Sequence, residues 1–158
     1  MKKALIVGGS NGIGLSIGVE LIKRGYHVII ADKQPPNAVL GENCTYYATD
    51  LLEFDAALFE EVSKDASIKL LMITAGFGRV TSFKNLHIGE IHNLVHVNLL
   101  AVLKIISLFY IRLSAITPFY CGVMGSISGL ISSPLFSVYA AAKAGIFRFV
   151  ESVNIELE

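Results

Sequence analysis

Charge is scarce in this chain, and so are cysteine and proline. Only 16% of its 158 residues are Asp, Glu, Lys or Arg, and the 13 basic and 13 acidic residues cancel to zero net charge. Without a basic surplus there is nothing to neutralise a run of phosphates, so a general nucleic-acid binder is excluded. Low charge joined to 53% hydrophobic residues equally excludes a disordered chain. The two cysteines, Cys44 and Cys121, stand far apart at no metal-ligand spacing, as in a reduced cytoplasmic protein. Lys2 and Lys3 make a basic start, but the apolar run after them, Ala4-Leu5-Ile6-Val7, falls short of the about 7–15 residues of a signal-peptide core. Two longer apolar stretches carry polar breaks: His96, Asn98, Lys104 and Arg112 in one, Pro134, Lys143 and Arg148 in the other. No membrane span is expected.

What is present is an alternation. Short continuous apolar runs at 4–7, 27–31, 45–48, 70–74 and 120–126 read as strands. Between and after them, 14–24, 55–64, 88–113 and 138–157 carry helical spacing, the third as one long helix apolar on most faces. Continuous apolar strands are covered on both faces, which accounts for the mean hydropathy of +0.61. Strand and helix in alternation imply right-handed crossovers and a parallel sheet. The expected fold is α/β: a Rossmann-like, doubly wound parallel sheet in three α/β/α layers, one domain over residues 1–158. Ligands of such sheets bind beyond the carboxyl ends of the strands. The residues found there are 8–14, Asp32, Asp50, Ala75, Gly76 and Ser126.

Gly8-Gly9-Ser10-Asn11-Gly12-Ile13-Gly14 joins the first strand to the first helix. Glycines permit a tight turn and close approach of a pyrophosphate, and the helix N-terminus offers unpaired N–H groups. The strand–turn–helix setting identifies a dinucleotide turn. Asp32 lies 18 residues after Gly14, at the tip of the second strand. Its carboxylate can accept from both adenosine ribose hydroxyls and repels a 2′-phosphate, which favours NAD over NADP. Lys33 follows directly and pulls the other way, since a cation suits that phosphate.

Tyr139 and Lys143 stand four residues apart, on one face of the last helix. A phenol is a poor acid–base group at neutral pH. A neighbouring ammonium favours its phenolate and makes it a usable proton donor.

Taken together, these residues resemble the classical short-chain dehydrogenase/reductase family, from residue 2 to residue 158. Residues Val7 to Gly14 resemble its Thr-Gly-x-x-x-Gly-Ile-Gly turn, and Asp50-Leu51 its acidic–hydrophobic pair beside the adenine. Thr74-Ala75-Gly76 stands where Asn-Ala-Gly is usual. Asn98, Ser126 with Gly129, and Tyr139 with Lys143 follow in the family's order. The three-residue gap between Gly8 and Gly12 is that of the classical rather than the extended members.

The resemblance implies an NAD- or NADP-dependent interconversion of a small-molecule carbonyl and a secondary alcohol. It assigns Tyr139 the proton, Lys143 the nicotinamide ribose, Ser126 the substrate oxygen, and Asn98 a water leading from Lys143. Gly8, Ser10, Asn11, Gly12, Ile13, Gly14, Asp32, Lys33, Asp50, Leu51, Ala75 and Gly76 would bind cofactor. Ser128 is the competing serine; the Ser-x-x-Gly spacing favours Ser126. The family continues past the Tyr–Lys helix, so the chain is expected to be truncated, without the last strands. The alternative function is an impaired relative that only binds dinucleotide or serves as an interaction module. A homodimer or homotetramer is implied, joined through the long helix. His87, His92 and His96 lie along that helix without a further ligand to complete a metal site.

Overall fold

The computed structural model describes residues 1–115 and 117–158. Contacts divide the chain into two compact units, one of Met1–Ala75 with Ile105–Met124, the other of Gly76–Lys104 with Gly125–Glu158.

The first unit holds the sheet. Strands β1 (Lys3–Val7), β2 (His27–Asp32), β3 (Cys44–Ala48), β4 (Ile68–Ile73) and β5 (Tyr120–Val123) are all parallel, in the order β3-β2-β1-β4-β5. Helix α1 (Gly12–Lys23) follows β1, and α2 (Ala56–Ser63) precedes β4. Side chains alternate across the sheet. Ala4, Ile6, Val28 and Ile30 cluster with Leu21 of α1 on one face. Their neighbours Leu5, Val7, Ile29, Leu71 and Ile73 are also buried, so both faces are covered. That is the Rossmann-like arrangement the apolar runs predict.

A polar knot fixes the amino ends of β1 and β4. Lys3 Nζ donates to Asp65 Oδ2 at 2.8 Å. Ser67 donates to Asp65 Oδ1 through its N–H at 2.9 Å and its hydroxyl at 2.6 Å. Arg112 Nη1 donates to the Asp65 carbonyl at 2.7 Å, with its guanidinium 4.7 Å from the Phe119 ring centroid. The register of β1 on β4 slips by one residue between Lys3 and Ala4, at this knot.

In the second unit, α3 (Ile88–Val95) runs into a π-helical turn (His96–Leu100), and the helix continues as α4 (Ala101–Leu113), whose later residues belong to the first unit. The single long helix expected over 88–113 is therefore interrupted. The cause is Asn98, whose Nδ2 donates to the Leu94 carbonyl at 2.9 Å. A side chain seated on the i−4 carbonyl competes with the backbone ladder and widens the turn. By length and composition Ile88–Leu113 is apolar enough to cross a membrane. Its Leu94, Val97, Ala101, Val102, Ile105, Ile106 and Phe109 are buried in the protein. Helix α5 (Ser137–Glu156) completes the unit. Strand β5 ends three residues before the predicted boundary at 126, where Met124 N–H closes onto the Ile73 carbonyl at 2.8 Å.

Asp65 tests the knot. The Lys3 hydrogen bond, then that of the Ser67 hydroxyl, holds its carboxyl down at about 2, from 3.8. A carboxylate depressed in the folded state stabilises fully above its unfolded pKa, and that gain is lost as pH falls through the folded one. Asp65→Asn should cost about 1 kcal/mol at neutral pH, allowing for the screening of a pair one-third exposed. Urea melts should show the gap from the parent chain constant above pH ~5 and closing towards pH ~2.

Candidate active site

The predicted residues fall into two groups, one in each unit. In the sheet unit the turn after β1 is built on two close approaches. Gly8 has φ +86, and a Cβ there would lie 2.4 Å from the Ala75 amide nitrogen. A Cβ on Gly14 would lie 2.3 Å from the Gly8 carbonyl oxygen and 2.4 Å from Thr74 Oγ1. No side chain fits either gap. Thr74 closes the turn from β4: its hydroxyl lies 2.9 Å from the Gly8 carbonyl and 3.2 Å from that of Val7.

Around Gly12 a Cβ would meet nothing within 4 Å, and Asn11, Gly12 and Ile13 are exposed. Helix α1 starts here without a side-chain cap and without an acidic residue in its first turn. Its first N–H groups and positive end are left for an anion.

Ser10 is buried, and its N–H donates to Asp32 Oδ2 at 3.0 Å. Its hydroxyl donates to the Gln34 carbonyl, and its own carbonyl accepts from Asn37 N–H at 2.8 Å. Asp32 is thereby locked to the glycine turn, with no bond to Oδ1 among the described residues. Lys33 is exposed beside it. Asp50 caps a short turn, its Oδ1 accepting from Leu52 N–H at 3.0 Å, and Leu51 is buried below. The latch through Ser10, Gln34 and Asn37 was beyond sequence reasoning, as was the Thr74 clasp. The shape of an unpaired loop carries no periodic signal.

The second group lies in the other unit. Asn98 is fully buried, and its Nδ2 donates to the carbonyls of Phe77, at 2.8 Å, and Leu94. Its Oδ1 is buried with no partner. A Cβ built on Gly76 would lie 2.7 Å from that Oδ1 and 3.4 Å from Lys143 Nζ. Both atoms thus border one small space that only a glycine backbone leaves open. Lys143 is 3% exposed, and burial pushes its ammonium below its ordinary value. Its Nζ lies 5.8 Å from the Tyr139 ring centroid. Ser126 Oγ accepts from Ser128 N–H at 3.2 Å, starting a turn that rests on α5. There a Cβ on Gly129 would come within 2.9 Å of Lys143 and Ala144 backbone. Structure therefore brings Gly76, Asn98, Tyr139, Lys143 and the Ser126 turn into one neighbourhood.

The histidines behave differently. His92 Nε2 and His96 Nδ1 are 3.4 Å apart, and His87 begins α3 in a capping box with Glu90. Burial, then Lys104 and His92, hold His96 below its ordinary value. Among the described residues, no three His, Cys, Asp or Glu gather as metal ligands.

The glycine turn, the bare start of α1 and the open Asp32 oxygen fit a dinucleotide, and the unpartnered Asn98 Oδ1 fits a bound water. Comparison with known proteins identifies the family of the chain. The short chain dehydrogenase family model matches residues 2–158, and the chain belongs to that family. Dehydrogenase RED2 of Cochliobolus heterostrophus is 32% identical over 158 residues, which cover 97% of this chain and 60% of that protein. The chain thus spans less than two thirds of that relative's length. The bulky-bulky ketone specific alcohol dehydrogenase from Comamonas testosteroni shares the fold, with TM-score 0.88, 22% identity, and coverage of 99% of this chain and 68% of that one. ElxO with NADP bound has TM-score 0.86 at 20% identity, over 99% of this chain and 68% of that one.

Gly76→Ala should act as an overpacking change, because Asn98 is held by two hydrogen bonds and cannot retreat. Chemical denaturation should show a loss of about 1–3 kcal/mol. Gly89→Ala, in α3 with open space around it, should instead gain up to about 1 kcal/mol.

Proposed function

We propose that this chain carries the cofactor turn and the proton-handling residues of an NAD(P)-dependent oxidoreductase interconverting a carbonyl and a secondary alcohol. The observation that carries the reading is the buried Lys143, one helical turn from Tyr139 and bordering the same space as the unpartnered Asn98 Oδ1. A lysine buried beside a tyrosine and an open acceptor is the kind of cluster that marks a proton-handling site.

A bound nicotinamide would supply the hydride acceptor or donor. The chain's own residues do the rest. The Tyr139 hydroxyl gives its proton to the carbonyl oxygen in reduction and takes it back in oxidation. Lys143 holds positive charge beside the phenolate and binds the nicotinamide ribose. Ser126 donates to the substrate oxygen where negative charge develops. A water on Asn98 Oδ1 passes protons between Lys143 and solvent. Asp32 Oδ1 accepts from the adenosine ribose, and its charge opposes a 2′-phosphate, so NAD is the preferred cofactor.

Titration with NADH and NADPH, followed by a carbonyl panel, tests this. Tyr139→Phe should lower kcat at least ~100-fold with NADH affinity retained. Saturable NADH binding without turnover of any carbonyl would instead identify a dinucleotide-binding or interaction protein. Asp32→Ser should improve NADPH binding about tenfold relative to NADH. Lys143→Met should abolish turnover at saturating NADH.

A further inference from the structure

We propose that the side chains around Tyr139 form a receptor for a hydrocarbon substituent, so that the substrate is a ketone flanked by apolar groups rather than by hydroxyl, phosphate or carboxylate groups. This rests on the reading of Tyr139 as the proton donor.

Phe77, Val80, Ile127, Leu130, Ile131 and Leu135 are 43–75% exposed. All six belong to the unit that carries Tyr139. They come from two loops, 76–82 and 127–136, which Thr81 N–H joins by donating to the Leu135 carbonyl at 3.0 Å. Both loops border the phenol. The Phe136 ring centroid lies 6.1 Å from that of Tyr139. A Cβ on Gly78 would be 3.8 Å from Tyr139 ring carbons and 3.7 Å from Phe136. Ile127 follows Ser126 directly, and its carbonyl accepts from Leu130 and Ile131 N–H, both at 2.9 Å.

Charge is almost missing from these loops. Arg79 is the only charged residue in either, and its Nε is paired with Glu90 Oε1 at 2.8 Å. Beyond Arg79, whose Nε is held by Glu90, neither loop offers a cation to a phosphate or carboxylate, or a carboxylate to a polyol. Leu135 adds an independent sign. Its φ of +68 is left-handed, the only such value at a non-glycine among the described residues. A branched side chain is strained there. Burial does not repay the strain, because Leu135 is 48% exposed. Glycine would hold the Thr81 bond more easily. An apolar side chain kept at this position against the backbone preference is explained by contact with a ligand.

The test uses the full chain with NADH, straight-chain methyl ketones of increasing length, and polyhydroxy ketones of matched carbon count. Turnover gives kcat/KM, and ligand-observed NMR gives dissociation constants that need no chemistry. Both should improve with length, by up to about fourfold per methylene. Ile131→Ser and Leu135→Gly should flatten that slope. Leu135→Gly also relieves the backbone, so its Tm should hold or rise, which separates lost binding from unfolding. Binding that strengthens with length but yields no turnover overturns the dehydrogenase reading and supports the hydrocarbon receptor. Turnover with no slope, or with preference for the polyhydroxy ketones, overturns the receptor and leaves the dehydrogenase reading. A dimer that Ile131→Ser dissociates, without change in slope, makes a second copy the occupant and overturns it too.

Discussion

At the end of β1, stretches of backbone converge with no room for a side chain. Gly8 meets the backbone of Ala75, and Gly14 meets Gly8 and the Thr74 hydroxyl, all closer than any real Cβ would allow. Much else in the sheet unit follows from that crowding. It turns the chain sharply enough to start α1 at Gly12, directly beyond the strand. It seats Ser10 where its N–H meets Asp32 and its carbonyl meets Asn37. The bare helix start and the carboxylate, one suited to pyrophosphate and the other to ribose, are thus positioned by one packing constraint.

A different constraint organises the second unit. Lys143 is buried, and burial disfavours its charged form. Asn98 is buried with an acceptor left over. The two meet over Gly76, which cannot grow a side chain without displacing the amide. Asn98 sits in the π-helical turn, which its bond to the Leu94 carbonyl of the preceding helix widens. An irregular helix, an invading glycine backbone and a buried ammonium form one arrangement. Loss of any of them removes the reason for the other two.

Sequence reasoning reached the alternating fold because strands covered on both faces read as unbroken apolar runs. It singled out Gly8 to Gly14, Asp32, Tyr139 and Lys143 as candidates because their spacing is local to one turn, strand end or helix face. Local spacing says nothing of partners distant in the chain. The meeting of Gly76 with Asn98 and Lys143, and the latch of Gln34 and Asn37 onto Ser10, therefore emerge only in three dimensions. The same blindness hid the widened turn at 96–100, since its hydrophobic pattern is that of an ordinary helix. Val7 and Thr74 are instructive for another reason. Against the family pattern each is a departure, and one loses a hydroxyl. In the fold the Thr74 hydroxyl reaches the backbone carbonyls of both Val7 and Gly8, so this departure clasps the turn.

Where the chain breaks the local rules of stability is itself informative. A well-built core buries apolar groups, satisfies its polar atoms and keeps non-glycine residues out of left-handed backbone. In the sheet unit the unpartnered buried side-chain atom among the described residues is the Thr49 hydroxyl, beside Asp50. In the other unit stand the unmet Asn98 Oδ1, the unmet His96 Nε2 and the left-handed Leu135, with Ile127, Leu130 and Ile131 exposed. A fold selected for stability alone would shed these, since each costs free energy and most are one substitution from relief. On the proposed reading of Tyr139 as proton donor, the open Asn98 Oδ1 answers to a water and the exposed apolar residues of the two loops to a hydrocarbon, the two demands of a carbonyl held between a proton donor and an apolar wall.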